Sequence, residues 1–141
     1  MKYHQLMRLT AFLGAITVAL GAYSAHGLKS KVAAPFVEIF QTGVQYQFYH
    51  VIVLLIACYL YGKYDNGKLY AAIVLFFVGI LLFSGSLYAL TFVAAYNIKS
   101  FDWLGPVTPV GGLAFMAGWV MLGLGIKPSS KKYRKSSKVD A

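Results

Sequence analysis

Four long apolar segments constrain the fold of this chain more than any other feature. They cover residues 6–25, 44–62, 69–96 and 107–126. A helix needs about 20 apolar residues to cross the hydrocarbon core of a bilayer. Only 12% of the residues are charged, whereas about a quarter are charged in soluble domains. The sequence therefore predicts an all-α polytopic membrane protein, with a bundle of four transmembrane helices within residues 1–126.

The first apolar segment could also be a secretory signal, because Lys2 and Arg8 precede it. Cleavage before His26 would place Tyr23 where signal peptidases prefer a small residue. The sequence therefore favours a transmembrane span over a signal peptide.

The distribution of Lys and Arg predicts the orientation of the spans. With four spans, the two termini share one side with the second connection, and that side holds ten of the thirteen basic residues. The positive-inside rule places this side in the cytoplasm, or in the matrix if the membrane is mitochondrial. Tyr96 and Trp103 are then expected at the outer interface, where aromatic residues concentrate.

Six of the thirteen basic residues lie in the Ser-rich tail, residues 127–141. Its composition indicates a disordered cytoplasmic segment. Such a segment is attracted to anionic lipid headgroups, so we expect membrane lipids as its partner. No base-stacking motif accompanies the charge, and we expect no nucleic-acid partner.

The connection between the first two spans has a helical pattern of its own. Its apolar residues recur at helical spacing, at Val32, Phe36, Ile39 and Phe40. The pattern predicts a short amphipathic interfacial helix between spans 1 and 2, with Pro35 in its first turn. Pro106 and Pro109 are expected at the start of the fourth span rather than in its interior.

Polar side chains concentrate in the predicted outer half of the spans. The segment Gln41–His50 carries three glutamines, two tyrosines and a histidine into the second span. An unpaired polar group costs about 2–7 kcal/mol in an apolar medium, and polar residues within spans indicate functional sites. The residues predicted to form the polar cluster are His26, Glu38, Gln41, Gln45, Tyr46, Tyr49, His50, Ser84, Ser86 and Thr108.

Small residues predict the faces on which the helices pack, because helices in lipid associate where backbones approach closely. The fourth span has such a face at Gly111, Ala114, Gly118 and Gly125. The first span has one at Ala11, Ala15, Ala19 and Ala22. The next position on that second face is His26, so we expect His26 to point into the bundle, at the depth of the turn from Gln45 to His50.

Several functions remain open for such a cluster. It could close the bundle as a paired hydrogen-bond network, or it could bind a small ligand or a partner, including a second copy. It could also form a permeation or pH-sensing module gated by His26 and His50, because histidine titrates near neutral pH. An accessory subunit of a larger complex is a further alternative, and it predicts an uncovered stripe of small residues.

Enzymatic chemistry has weaker support in the sequence. Ser84 or Ser86, His50 and Glu38 could supply a Ser-His-carboxylate set, but no motif fixes their geometry. Two histidines and one carboxylate are also few ligands for a metal ion. We therefore predict a non-enzymatic protein without a metal or a cofactor.

Four blocks in this order carry a resemblance to a known family: GAYSAHGLK, FQTGVQYQFYH, GILLFSGSLYAL and GPVTPVGGLAFMAGWVML. They resemble the small four-span membrane proteins known as domain of unknown function 423. The resemblance implies four helices and a place in the bacterial cytoplasmic (inner) membrane. The distribution of Lys and Arg described above adds the expectation that this multi-pass protein has both termini in the cytoplasm. It implies no established activity.

Overall fold

The structure is a computed structural model that describes residues 2–96, 98 and 104–126. The predicted basic tail, residues 127–141, and Trp103 lie outside these ranges.

The described residues form helices, with no strand in these ranges. The elements in chain order are α1 (Tyr3–His26), α2 (Ala34–Tyr64), α3 (Gly67–Gly79), a π-helical segment (Ile80–Ser84), α4 (Gly85–Ala95) and α5 (Leu104–Gly125). Because α3, the π segment and α4 are continuous, four helices are long and apolar enough to span a membrane. The predicted all-α fold with four spans is confirmed.

α2 differs from its prediction because it is one continuous helix of 31 residues. Pro35 lies in its first turn, as expected, but the predicted interfacial segment is the start of α2 and not a separate helix. Gly43 does not interrupt the helix, because it is buried at a close contact where a Cβ would lie 2.8 Å from the ring of Tyr88. At 1.5 Å per residue α2 is about 46 Å long, which exceeds the hydrocarbon core of about 30 Å.

α1 packs on α2 through a face that differs from the predicted one. Its small and hydroxyl-bearing residues are directed at α2, at Thr10, Gly14, Thr17, Gly21 and Ser24. The four alanines of the predicted face are all exposed. Glycine lets two backbones approach, and hydroxyl groups can hydrogen-bond across the contact. The prediction that the alanines pack inside the bundle is therefore wrong, because they lie on the exposed side of α1.

α5 packs on α3 and the π segment through the predicted glycine face. Gly111, Gly118 and Gly125 are buried. A Cβ on Gly118 would lie 2.8 Å from the ring of Phe76, and a Cβ on Gly111 would overlap the backbone of Phe83. Because these glycines have no side chains, α5 can approach the third span this closely.

Pro109 lies inside α5 rather than at its start, in the second turn after Leu104. Proline has no N–H to donate, so one backbone hydrogen bond is absent here. The opposite end of α5 is fixed by Asn66, whose Nδ2 donates to the carbonyl of Gly125 at 3.0 Å. The Oδ1 of Asn66 also accepts from the amide of Lys68 and so caps α3.

Two hydrophobic clusters hold the helices together. The larger one lies between α2, α3 and α5 and includes Leu54, Leu69 and Phe76. The smaller one, around Phe40, lies at the end of the bundle where α1 is connected to α2. We call this the α1–α2 end, and the opposite one the α2–α3 end.

Candidate functional site

Two polar residues of α2 are buried, and they face different helices. Gln47 and His50 are only 3% and 6% exposed. Because they are three residues apart on a helix, their side chains are close in depth but differ in direction. Each has its own set of partners.

Gln47 is hydrogen-bonded at both ends of its amide. Its Nε2 donates to Thr17 Oγ1 at 2.7 Å, and its Oε1 accepts from the hydroxyl of Tyr88 at 2.8 Å. Thr17 in turn donates to the carbonyl of Leu13. We call Thr17, Gln47 and Tyr88 the Gln47 cluster. It joins α1, α2 and α4, and its side chains are paired with one another.

Two further contacts join α4 to its neighbours. The hydroxyl groups of Ser86 and Thr108 are 2.7 Å apart, and because Ser86 donates to the carbonyl of Phe83, Thr108 is the donor between them. Thr91 Oγ1 lies 3.2 Å from the carbonyl of Phe36 in α2. Ser84 is different, because its hydroxyl is fully buried and has no hydrogen-bond partner among the described residues.

The hydrogen bonds of His50 define its tautomer. Its Nδ1 lies 2.7 Å from the carbonyl of Tyr46, and because a carbonyl only accepts, Nδ1 carries the proton. The Nε2 lone pair therefore faces the indole N–H of Trp119, which donates to it at 3.4 Å. That distance exceeds the usual range of 2.7–3.2 Å. The Nε2 of His50 is thus an acceptor with only a weak partner.

The ring of His50 is held by stacking. It lies on the ring of Phe115, with centroids 3.4 Å apart and planes within 8° of parallel. Phe115 belongs to α5, so the imidazole and the phenyl ring together fill the space between α2 and α5. This contact fixes the direction in which Nε2 points.

His50 lies in a groove of about 620 Å³ between α2, the π segment and α5. We call this the His50 groove. It is lined by Tyr46, His50, Phe83, Pro109, Gly112, Leu113, Phe115, Met116 and Trp119. Leu113 and Met116 are about 60% exposed. They lie in the middle of a span, so the groove opens sideways to lipid.

The π segment forms one wall of the His50 groove. The amide of Gly85 donates to the carbonyl of Ile80, five residues earlier. Such segments insert one extra residue into a helical turn and are frequent at functional sites. Here the wider turn carries Phe83, whose backbone contacts Gly111 and whose side chain lines the groove.

The structure divides the predicted polar cluster among several places. Tyr46 and His50 line the groove, Ser86 and Thr108 form a pair, and Ser84 is buried separately. The remaining predicted residues are all exposed: His26, Glu38, Gln41, Gln45 and Tyr49. Gln45 Nε2 donates to the hydroxyl of Tyr49 at 2.7 Å, on the exposed side of α2.

His26 lies at a different depth from His50. Gly21 faces Val44, so in antiparallel helices His26 is level with about residue 39 of α2. It is therefore about 16 Å from the level of His50. The predicted proximity of the two histidines is wrong, because α2 begins at Ala34 and carries His50 towards the middle of the span.

The residues also fail to form a hydrolytic set. Glu38 precedes His50 by twelve residues on the same helix, which separates them by about 18 Å, and the Nδ1 of His50 bonds a carbonyl instead of a carboxylate. Within the described ranges, no three His, Cys, Asp or Glu side chains converge as metal ligands do.

Sequence reasoning missed three residues that shape these two places. Thr17 was visible as a hydroxyl-bearing residue inside an apolar span. Phe115 and Trp119 lie four residues apart on α5, which puts them on one helical face. Large aromatic residues are common in spans, so nothing in the sequence distinguished this pair from lipid-facing residues.

The four apolar spans and the polar residues between them define a small polytopic membrane protein. Residues 20–112 match the family described as "Protein of unknown function (DUF423)". The chain therefore belongs to this family, as its sequence blocks predicted.

The relatives that the chain matches are described as membrane proteins. It is 40% identical to the UPF0382 membrane protein YwdK of Bacillus subtilis over 121 residues, which cover 82% of this chain and 94% of the relative. It is 40% identical over 122 residues to a UPF0382 membrane protein of Haemophilus influenzae, covering 86% and 93%. It is 35% identical over 120 residues to the UPF0382 inner membrane protein YgdD of Escherichia coli, covering 85% and 87%. No solved structure matches.

Proposed function

We propose that this protein is a non-enzymatic membrane protein that binds a lipid-soluble small molecule in the His50 groove. One observation carries the proposal: a buried imidazole with a weakly engaged acceptor nitrogen lies in a groove open to lipid. A polar atom with an incomplete partner is costly in an apolar medium. A ligand that completes the hydrogen bond would remove this cost.

The form of the groove supports ligand binding. Binding sites for small molecules are concave and mostly apolar, contain a few placed polar groups and measure about 300–1,000 Å³. The His50 groove has this size and an aromatic lining around one imidazole. The Gln47 cluster differs from the His50 groove in this respect, because its side chains are paired with one another, as a purely structural network requires.

The geometry favours this function over the alternatives from the sequence. A gate formed by two histidines needs them at one depth, whereas His26 and His50 are about 16 Å apart along the helix axis. The exposed alanines of α1 match the stripe expected of an accessory subunit. A stripe of small residues alone does not identify a partner, so the His50 groove is the better-supported site.

We also propose that the protein lies in the bacterial cytoplasmic membrane with the α1–α2 end outside. The distribution of basic residues supports this orientation, and the Escherichia coli relative is described as an inner membrane protein. Two single-cysteine variants, Glu38→Cys and Lys63→Cys, test it in a Cys58→Ala background. A membrane-impermeant thiol reagent should label intact cells only at position 38. Labelling at position 63 alone would show that the protein has the opposite orientation.

Photolabelling in vesicles tests the groove. The probe is a long-chain alcohol with a diazirine, and the sites of attachment are mapped by mass spectrometry. The chain offers a matched control in a second groove of about 400 Å³, which is lined by aliphatic and phenyl groups only: Leu9, Phe12, Leu13, Ile16, Phe77, Val78, Ile80 and Leu81. Both grooves face lipid, so contact with bulk lipid labels both.

We expect several-fold more label between Leu113 and Trp119 than between Leu9 and Ile16. An excess of the same alcohol without the diazirine should reduce labelling of the His50 groove to the level of the second groove, and should leave labelling of the second groove unchanged. Equal labelling of the two grooves, unaffected by the competitor, would contradict the proposed function.

A further inference from the structure

We infer that the His50 groove selects uncharged molecules whose ring carries a hydroxyl group, as in a long-chain alkylphenol, over the same molecules with the hydroxyl blocked. This inference names the ligand class of the site proposed above, so it rests on the proposed function. Three features of the groove carry it: the tautomer of His50, the aromatic walls and the absence of charge.

The tautomer of His50 specifies a hydrogen-bond donor. Because the proton on Nδ1 is committed to the carbonyl of Tyr46, Nε2 offers only a lone pair. Trp119 offers only an N–H, 3.4 Å away. A hydroxyl group donates and accepts at once, so a single O–H can donate to Nε2 and accept from the indole N–H once the half-exposed Trp119 side chain turns to widen the gap. An ether oxygen can only accept from Trp119 and leaves Nε2 without a partner.

The walls specify a ring. Tyr46 and Phe83 lie 4.7 Å apart between centroids, and the ring of Trp119 meets that of Phe76 edge-on at 5.8 Å. Aromatic rings gain by stacking and edge contacts beyond the area that they bury. Gly112 leaves room beside these rings, because even a Cβ there would stay 3.9 Å from Phe83.

The groove favours a ligand with an uncharged polar group and an apolar alkyl chain. None of its lining residues is Lys, Arg, Asp or Glu, so a phosphate or carboxylate would be buried without a counter-charge, at high cost. Leu113 and Met116 are exposed at the lipid side of the groove. An alkyl chain attached to a bound ring would leave the groove over these two side chains.

Quenching of Trp119 fluorescence tests the selectivity. The full chain carries Trp103→Phe, so Trp119 is its only tryptophan, and it is reconstituted in vesicles of phosphatidylethanolamine and phosphatidylglycerol. The probes are 4-nonylphenol with a bromine on the ring, which quenches at contact, and its O-methyl ether. Both are compared at equal mole fraction in the lipid.

We expect the phenol to bind about 3- to 10-fold more tightly than the ether, the factor that one net hydrogen bond supplies. His50→Phe, which keeps a ring at this position, should lower the affinity for the phenol to that of the ether. Tyr49→Phe should preserve the difference, because the Tyr49 hydroxyl bonds Gln45 outside the groove.

The outcomes separate the two proposals. Equal saturable binding of phenol and ether would overturn the selectivity and leave the groove as a binding site. Quenching by both probes that rises linearly without saturation would overturn both proposals, because it reports bulk lipid alone. The comparison of the probes needs no variant at His50, so it remains decisive even if His50→Phe does not fold.

Discussion

Gln47 and His50 show that burial alone does not distinguish a structural polar residue from a candidate binding residue. Both lie on α2 and both are almost completely buried. Gln47 faces α1, which comes close through its glycine and threonine residues, and its amide is paired at both ends. His50 faces α5, which is seated on the third span, and only aromatic rings lie between them. The degree of pairing separates the two residues.

The largest expected effect is that of Gln47→Leu, which keeps the volume and removes two interhelical hydrogen bonds. Each such bond contributes about 0.6–1.7 kcal/mol, and the hydroxyl of Tyr88 loses its partner at a further cost. We expect the free energy of unfolding in mixed micelles to fall by about 2–4 kcal/mol. Gln45→Leu, on the exposed side of α2, is the control and should stay within about 0.5 kcal/mol. If the two substitutions had equal effects, the Gln47 cluster would have no structural role.

Substitutions at two adjacent glycines test how α5 packs on the third span. Gly111→Ala should cost about 1–3 kcal/mol through overpacking, because the new methyl group meets the backbone of Phe83. Gly112→Ala should be nearly neutral in stability, since its Cβ enters the open groove, and should weaken binding of the phenol probe. If Gly112→Ala proved the more destabilising of the two, the described position of α5 would be wrong.

The Ser86 and Thr108 pair is expected to contribute less. Thr108→Val removes the hydroxyl donor to Ser86 with almost no change of shape, so unfolding should become easier by about 0.6 kcal/mol. Thr42→Val is a matched control, because the exposed Thr42 hydroxyl donates to the carbonyl of Glu38 within its own helix. A loss above about 2 kcal/mol would place this pair in the same structural class as Gln47.

The smallest effect on stability is expected at His50, and it sharpens the comparison most. In His50→Phe the stacked ring on Phe115 is kept, and the bonds lost are one local contact and one weak one. We expect a change of less than about 0.5 kcal/mol in the free energy of unfolding, measured without added ligand. A loss as large as that of Gln47→Leu would instead make His50 a structural residue.

The fold could be predicted from the sequence because the bilayer sets helix length and the apolar segments are long. The sequence could not predict that residues 34–43 continue into the second span as one helix. Gly43 interrupts the apolar pattern there, and only the folded structure shows that the ring of Tyr88 packs against it. The π segment also has no signal, since it arises where the third span meets Gly111 of α5. The buried face of α1 was visible in the seven-residue spacing of Thr10, Thr17 and Ser24.

The site was predictable only in part. Residues 41–50 were correctly singled out as polar positions in a span. The periodicity of a helix cannot tell which of these positions face a neighbour, because the rotation of α2 is set by α1 and α4. Gln45 and Tyr49 therefore lie outside, whereas Gln47 and His50 lie inside. The partner of His50 comes from α5, sixty-nine residues later in the chain.

The sideways opening of the His50 groove has a consequence for how occupancy depends on dose. A molecule that enters between Leu113 and Met116 arrives from the bilayer, so its concentration in lipid, and not in water, governs binding. At a fixed total amount of a strongly partitioning ligand, doubling the lipid dilutes it twofold, and below saturation the bound fraction should fall by about half. Changes in the lipid content of the membrane would therefore alter occupancy without any change in affinity.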